Sequence, residues 1–447
     1  LSEIIELDND SILETFNKKT LLKKNISNEE ILQVKKLKLK NTEIETRHSR
    51  HYPLGDQIST LVGFYGKDGA QEGLEKSYDN VLAGLPGKQK YFKNAKQEVI
   101  SKPIEIDKII QGSDINLTID ATIQFFAYKH LVEAIKTNNA KSGTVIILDN
   151  KKGEILAMAS YPSYNPNHPQ REIQKNRALI DAYELGSVLK PIVLSKALDN
   201  KVLEVNDDIN IPRRLTLNDK IIVDSKNYEK LSPKEIIAFS SQIGASKIAL
   251  ELGYEELKKN YYNFGFTKPI SINFPSSAFG YMNIKESVND KELASLGYGY
   301  GITISPFQIA SAYSVFANEG ILKDFKLLKN QEVTSKQIIS SDTANHILDA
   351  LRMVVKDGTG KAANINGFSA GGKTGTVHQI KRGSGYAEDS YRASFIGIAP
   401  LNTKSLTIFV SIDEPGLNSY SGGTVAAPVF AKVAESSLNY LGYFQDE

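Results

Sequence analysis

No cysteine occurs in the 447-residue chain, which removes disulfides, zinc-thiolate sites and thiol nucleophiles together. Any covalent chemistry falls to Ser, Thr, Lys or a carboxylate. No stretch of about 18 apolar residues is present, no signal-peptide pattern opens the chain, and it begins at Leu1 rather than Met. It reads as a soluble piece of something longer. Charge of one sign is lacking too: 54 basic residues against 52 acidic ones leave +2, which argues against a nucleic-acid backbone as partner. What is present is ordinary for a packed protein, with 41% apolar and 24% charged residues, so wholesale disorder is excluded. At about 100 to 200 residues per domain the chain folds as two or three units.

Texture divides the sequence near Gly112. Ahead of it, lysines crowd the interval from Lys18 to Lys40, and Ser27 with Glu30 forms a capping-box pattern before Ile31, Leu32, Val34 and Leu37. This predicts a short amphipathic helix with a solvated basic face. Tyr52-Pro53-Leu54-Gly55, Gly63-Phe64-Tyr65-Gly66 and Gly84-Leu85-Pro86-Gly87 then punctuate short strands and turns. Beyond Gly112, an alternating stretch from Asn116 to Asp120 runs into a helical stripe of Ile123, Phe126, Ala127, Leu131, Ala134 and Ile135. Val145 to Leu148 and Ile155 to Met158, joined by Asp149-Asn150-Lys151-Lys152-Gly153, predict a β-hairpin. Ser394 to Ile398 and Leu406 to Ile412 predict further strands, and Ala431 to Leu441 a closing helix. An early hairpin, intervening helices and late strands fit an α+β domain with one mainly antiparallel sheet.

Three segments can carry chemistry. Ser187-Val188-Leu189-Lys190 sets a hydroxyl and an amine one helical turn apart on one face. A serine needs an adjacent base, and lysine serves only where burial or nearby positive charge holds it neutral. Ile192, Val193, Leu194, Ala197 and Leu198 imply a buried helix. Pro191 is tolerated in its first turn if the helix starts just before Ser187, which leaves the hydroxyl where the helix dipole favours negative charge. In a chain rich in Ser and Lys such a match arises by chance, and alone it marks only a helix start.

Gly371-Gly372-Lys373-Thr374-Gly375-Thr376 offers a cation for a carboxylate, hydroxyls, bare backbone at Gly375 and amides for an oxyanion hole. Gly367 through Thr374 also satisfies the phosphate-loop spacing. That loop must follow a buried strand and open a helix, whereas Asn364-Ile365-Asn366 is a poor strand and Gly375-Thr376-Val377-His378 reads as extended. A second lysine motif, Lys141-Ser142-Gly143-Thr144, leads straight into the hairpin and reads as structural. Ser240-Ser241-Gln242, in a small-residue loop, is either a polar turn between helices or a proton relay with an amide for substrate.

Taken in order, Ser-x-x-Lys, Ser-x-amide and Lys-Thr-Gly resemble the three active-site motifs of the penicillin-recognising serine enzymes. Their surroundings are similar to class B penicillin-binding proteins. Arg50-His51-Tyr52-Pro53-Leu54-Gly55 and Gly73-Leu74-Glu75 with Tyr78 resemble the family's pedestal, or dimerisation, domain. Leu117-Thr118-Ile119-Asp120, Tyr161-Pro162-Ser163-Tyr164-Asn165-Pro166-Asn167, Gly299-Tyr300-Gly301, Gly358-Thr359-Gly360 and Gly422-Gly423 through Phe430 continue the likeness. Asn176-Arg177-Ala178 with Asp181 and Glu184 looks most like the division-type branch, penicillin-binding protein 3.

The resemblance implies a pedestal of strands and short helices over residues 1–113 and a β-lactamase-like transpeptidase domain over 114–447. It implies a peptidoglycan D,D-transpeptidase of septal wall synthesis, inhibited by β-lactams and needing no metal or cofactor. Ser187 becomes the acyl-forming nucleophile, Lys190 its base, Ser240 the relay to the leaving D-alanine, and Lys373 the cation that keeps the site positive. Gln242, Thr374, Gly375 and Thr376 bind substrate, and the amides of Ser187 and Thr376 form the oxyanion hole. Expected partners are stem peptides ending in D-Ala-D-Ala, β-lactams, a membrane glycosyltransferase and divisome proteins. The expected location is the periplasmic face of the inner membrane, with a single anchor ahead of Leu1. The chain departs from the family at Gln242, where Asn is usual, at Leu185, where Pro is usual, and at Val188, where Thr is usual. These departures admit a noncatalytic scaffold or β-lactam sensor, and a D,D-carboxypeptidase differs only in using water as acceptor.

Overall fold

The computed structural model describes the chain except residues 7–11, 13–19, 25, 40–41, 46–48, 67, 97–98, 170–174, 382–384, 403 and 417–418. Two units separate, Leu1–His51 and Tyr52–Glu447. In the first, the capping box forms: Ser27 Oγ accepts from the Glu30 amide at 3.2 Å, and the Glu30 carboxylate accepts from the Ser27 amide at 2.6 Å. The helix it starts spans Asn28–Lys36, buries Val34 and leaves Leu32 61% exposed, so the predicted apolar stripe is only partly covered within its unit. Part of the lysine run, including Lys18, Lys19 and Lys40, falls outside the described residues.

The second unit is organised by an antiparallel five-stranded sheet. Its strands are β1 (Ser142–Asp149), β2 (Glu154–Tyr161), β3 (Gly371–Lys381), β4 (Gly385–Ala399) and β5 (Leu406–Asp413), in the order β3-β4-β5-β1-β2. Alternate side chains feed opposite faces, the period-two geometry of a strand. Val145, Ile147, Phe395, Ile408 and Val410 enter one core with α1 (Ala121–Thr137) and the closing helix, Ala427–Tyr440. Ile146, Leu148, Ile396, Ile398 and Phe409 enter the other, built by α2 (Lys190–Asp199), α3 (Gln242–Leu252), α4 (Pro306–Ala317) and α5 (Ser341–Lys356). With both faces covered, β1 and β5 are buried at every position, which explains their unbroken apolar runs.

Helix α1 follows the predicted stripe with one exchange: Phe126 is half-buried, and Gln124 is fully buried in its place. The Gln124 amide donates to Gln57 O at 2.7 Å and Met158 O at 3.3 Å, and its carbonyl accepts from the Met158 amide at 2.8 Å. A buried polar group is tolerated when so satisfied. Instead of a strand, Asn116 to Asp120 makes one bridge, Leu117 to Leu328.

Pedestal residues from Tyr52 onward pack on the same body. Asn167 receives the Tyr52 amide and donates to the Tyr52 carbonyl, both at 2.9 Å, and Phe64 meets Tyr164 edge to face. A two-stranded ribbon, Lys88–Lys90 against Ile104–Asp107, continues to the Leu85–Ile110 bridge. Gly112 closes it tightly, since a Cβ there would lie 1.9 Å from Leu82 O. No helix of the described residues is long and apolar enough to cross a membrane.

Candidate active site

The nucleophile segment enters α2 through a 3₁₀ turn, Gly186–Leu189, rather than as the first α-helical turn. Residues i and i+3 eclipse in a 3₁₀ turn, so Ser187 and Lys190 still share a face. Pro191 sits in the first turn of α2 as expected, where its missing donor costs least. The turn is fixed from three sides. The Gly186 amide donates to Gly299 O at 3.2 Å, and the buried Tyr313 hydroxyl donates to Val188 O at 2.5 Å. Gly186 adopts φ 57°, and a Cβ there would strike Val377 Cγ1 at 2.6 Å.

That third side is strand β3, which carries the Lys-Thr-Gly motif at the sheet's edge. A Cβ on Gly375 would lie 2.7 Å from Val188 Cγ2 and 2.8 Å from Leu185 O. Glycine at 375 thus lets the edge strand lie against the nucleophile turn, a reason the motif alone did not disclose. Behind it, the Thr376 hydroxyl accepts from the Gly422 amide at 2.9 Å, and the Thr374 and Thr359 hydroxyls bond at 2.8 Å. Leu185 is buried, so this position packs the core as an apolar side chain. The phosphate-loop alternative fails on geometry, because Gly371–Lys381 is a strand and no helix follows Lys373. Lys141-Ser142-Gly143-Thr144 is structural: β1 begins at Ser142, whose hydroxyl donates to Asp413 at 2.9 Å.

Ser240 joins the two lysines. Lys190 Nζ donates to Ser240 O at 2.5 Å and approaches its Oγ at 3.2 Å, and Lys373 Nζ reaches the same Oγ at 3.0 Å. Both amines are buried, at 1% and 0% exposure. Burial pushes the Lys190 amine down to about 7, against the pull of the Asp224 carboxylate. Lys373 is driven well below its ordinary value, first by burial and then by the charge of Lys190. One hydroxyl between two amines whose neutral forms are favoured by burial is a path along which a proton can move.

Ser240 holds φ 61°, a left-handed conformation unusual for serine, so its surroundings must enforce it. They do so through Asp224. Its carboxylate accepts from Ser241 Oγ and the Gln242 amide, each at 2.5 Å, and from the Ile243 amide at 3.3 Å. Ser241 in turn caps α3 by accepting from the Gly244 amide at 2.9 Å. Gln242 is therefore the first residue of α3, where sequence suggested a loop; two capping groups satisfy the helix's orphan amides and let it begin this early. The Gln242 side chain is exposed. Asp224 had no signature in sequence, since it acts from a loop that only the fold brings to Ser241.

Comparison with known proteins gives the same constellation a family. The "Penicillin binding protein transpeptidase domain" matches residues 143–435, and the "Penicillin-binding Protein dimerisation domain" matches 1–117. The chain belongs to the penicillin-binding protein transpeptidases. This penicillin-binding protein is 34% identical to the probable peptidoglycan D,D-transpeptidase PenA of Neisseria gonorrhoeae over 99% of its own length and 78% of that protein. It is 31% identical to the peptidoglycan D,D-transpeptidase FtsI of Escherichia coli, over 92% of this chain and 71% of that one. Penicillin-binding protein 3 of Mycobacterium tuberculosis shares its fold at TM-score 0.78 and 25% identity, covering 89% and 92% of the two chains. The transpeptidase domain of Burkholderia pseudomallei penicillin-binding protein 3 aligns at TM-score 0.69 and 32% identity, covering 74% of this chain and 98% of that one. The penicillin-binding protein 3 type and the α+β architecture expected from the motifs both hold.

Proposed function

We propose that Ser187, Lys190, Ser240 and Lys373 carry the acyl transfer of this peptidoglycan D,D-transpeptidase. The observation that supports these roles most directly is the Ser240 hydroxyl held between two buried amines. In the first step Ser187 Oγ bonds to the penultimate D-alanine carbonyl carbon while its proton passes to neutral Lys190. The C–N bond breaks, and the leaving D-alanine amine takes a proton through Ser240. In the second step an amine of a neighbouring stem peptide attacks the ester, gives up a proton to the same path, and releases Ser187. Lys373 receives the donor's terminal carboxylate, with Thr374, Thr376 and Gln242 beside it. The amides of Ser187 and Thr376 stabilise the oxyanion, each worth about 3 kcal/mol. A β-lactam follows the first step and stays on the serine.

We further propose a septal role, with a membrane glycosyltransferase and divisome proteins as partners at the periplasmic face of the inner membrane; the likeness to FtsI is what favours this reading. We place the pedestal's end at 113, beside the close approach of Gly112 to Leu82. Fluorescent penicillin is expected to label the wild type and not Ser187→Ala. Equal labelling of the variant would refute the nucleophile assignment, and absence of cross-linked product from full-length protein with peptidoglycan substrate would refute the transpeptidase step.

A further inference from the structure

The amine cluster accounts for one charge on a stem peptide, the donor's terminal carboxylate. A stem peptide also carries an ammonium, which must lose a proton before it can attack the ester, and a carboxylate stands three residues before the nucleophile. Glu184 Oε1 accepts from the Gly301 amide at 2.7 Å, and Oε2 accepts from the Tyr386 hydroxyl at 2.8 Å. Among the described residues no cation pairs with it. The two bonds fix the carboxylate while leaving lone pairs on both oxygens. Tyr300 stands edge-on to Tyr386, ring centroids 5.9 Å apart, and lies 3.9 Å from where a Cβ on Gly186 would be, next to Ser187. Tyr386 is 52% exposed.

We propose that Glu184, walled by Tyr300 and Tyr386, is a subsite for the primary ammonium of a stem peptide. A carboxylate here is the wrong sign for the donor terminus, which Lys373 receives, and the right sign for an amine. Aromatic faces add attraction for a cation. The ammonium has two sources, the acceptor that attacks the ester or the side-chain amine of the donor itself. This subsite rests on the acyl-enzyme reading above, so its test includes a readout that reports Ser187 alone.

The experiment compares the full chain with Glu184→Gln and Glu184→Asp, using a synthetic pentapeptide donor ending in D-Ala-D-Ala with a free side-chain amine and the same donor N-acetylated. Added peptide amine serves as acceptor. If the donor supplies the ammonium, wild type acylates faster with the free-amine donor, and Glu184→Gln loses that preference by about tenfold. If the acceptor supplies it, Glu184→Gln needs about tenfold more acceptor for equal partition between cross-linking and hydrolysis. In either case Glu184→Asp recovers part of the loss and Tyr386→Phe shows a smaller shift in the same direction. A Glu184→Gln protein whose donor preference and acceptor partition both stay within twofold of wild type overturns the subsite. Fluorescent-penicillin labelling of the same samples separates this outcome, since a failed acyl-enzyme reading appears as labelling that does not depend on Ser187.

Discussion

Replacing Asp224 by Asn tests whether the relay serine is positioned from a distance. The swap is nearly isosteric, but it removes the charge and one of two accepting oxygens. If Asn keeps its oxygen on the Gln242 and Ile243 amides, its amide group faces Ser241 Oγ, and the Ser241 proton loses its acceptor. A hydrogen bond to a charged group is worth about 1.5 to 3 kcal/mol, and the missing negative charge at the start of α3 adds about 0.3 to 1 kcal/mol. That total, about 1.8 to 4 kcal/mol, matches or exceeds the about 1 to 3 kcal/mol that holding Ser240 in its left-handed conformation costs. Ser240 is then expected to relax, and a shift of about 1 Å costs on the order of a hundredfold in rate. Penicillin acylation, followed as a second-order rate constant, is expected to fall 10- to 100-fold, about 1.4 to 2.7 kcal/mol. A second signature separates this from general damage. Asp224 holds the Lys190 amine up, so its removal lowers that pKa and moves the acidic limb of the pH profile to lower pH. Acylation within threefold of wild type, with the limb unmoved, would refute the reasoning.

With neutral Lys190 as the proposed base, acylation by the wild type is expected to rise with pH through a midpoint near 7; a flat profile across neutrality argues for another base. Gln242→Asn is expected to preserve or raise acylation, because the exposed Gln242 side chain is not what holds α3 in place; a drop of tenfold, about 1.4 kcal/mol, shows a site built around Gln242. Gln124→Leu leaves the Met158 amide and the Gln57 carbonyl without their partner and is expected to cost about 2 to 4 kcal/mol in denaturant unfolding. An unchanged midpoint and slope contradict that bookkeeping.

Features written in local spacing were legible in sequence: the hairpin of β1 and β2 and the late strands. The closing helix was legible but starts earlier, at Ala427, because Pro428 fits its first turn. What stayed hidden depends on distant segments meeting. The burial of Gln124 depends on three backbone groups that surround it, and the 3₁₀ form of the Ser187 turn depends on Gly299, Tyr313 and Val377. Asp224 carries no pattern, and Glu184 entered only through the branch resemblance; the groups each one bonds are remote in the chain.

The paired buried amines set stability against activity. An amine whose pKa falls on folding must shed its proton to fold, so below the ordinary lysine value of 10.5 Lys190 disfavours the folded state. That penalty is complete below about 7 and shrinks as pH rises from there towards 10.5. Lys373 acts in the same direction. Lys373→Met is therefore expected to melt at a higher temperature while losing acylation, and a carboxylate-bearing inhibitor on Ser187 is expected to tighten the fold by giving Lys373 a counter-ion. Burial thus leaves the resting protein with two amines short of a counter-charge, which the proposed substrate carboxylate would supply.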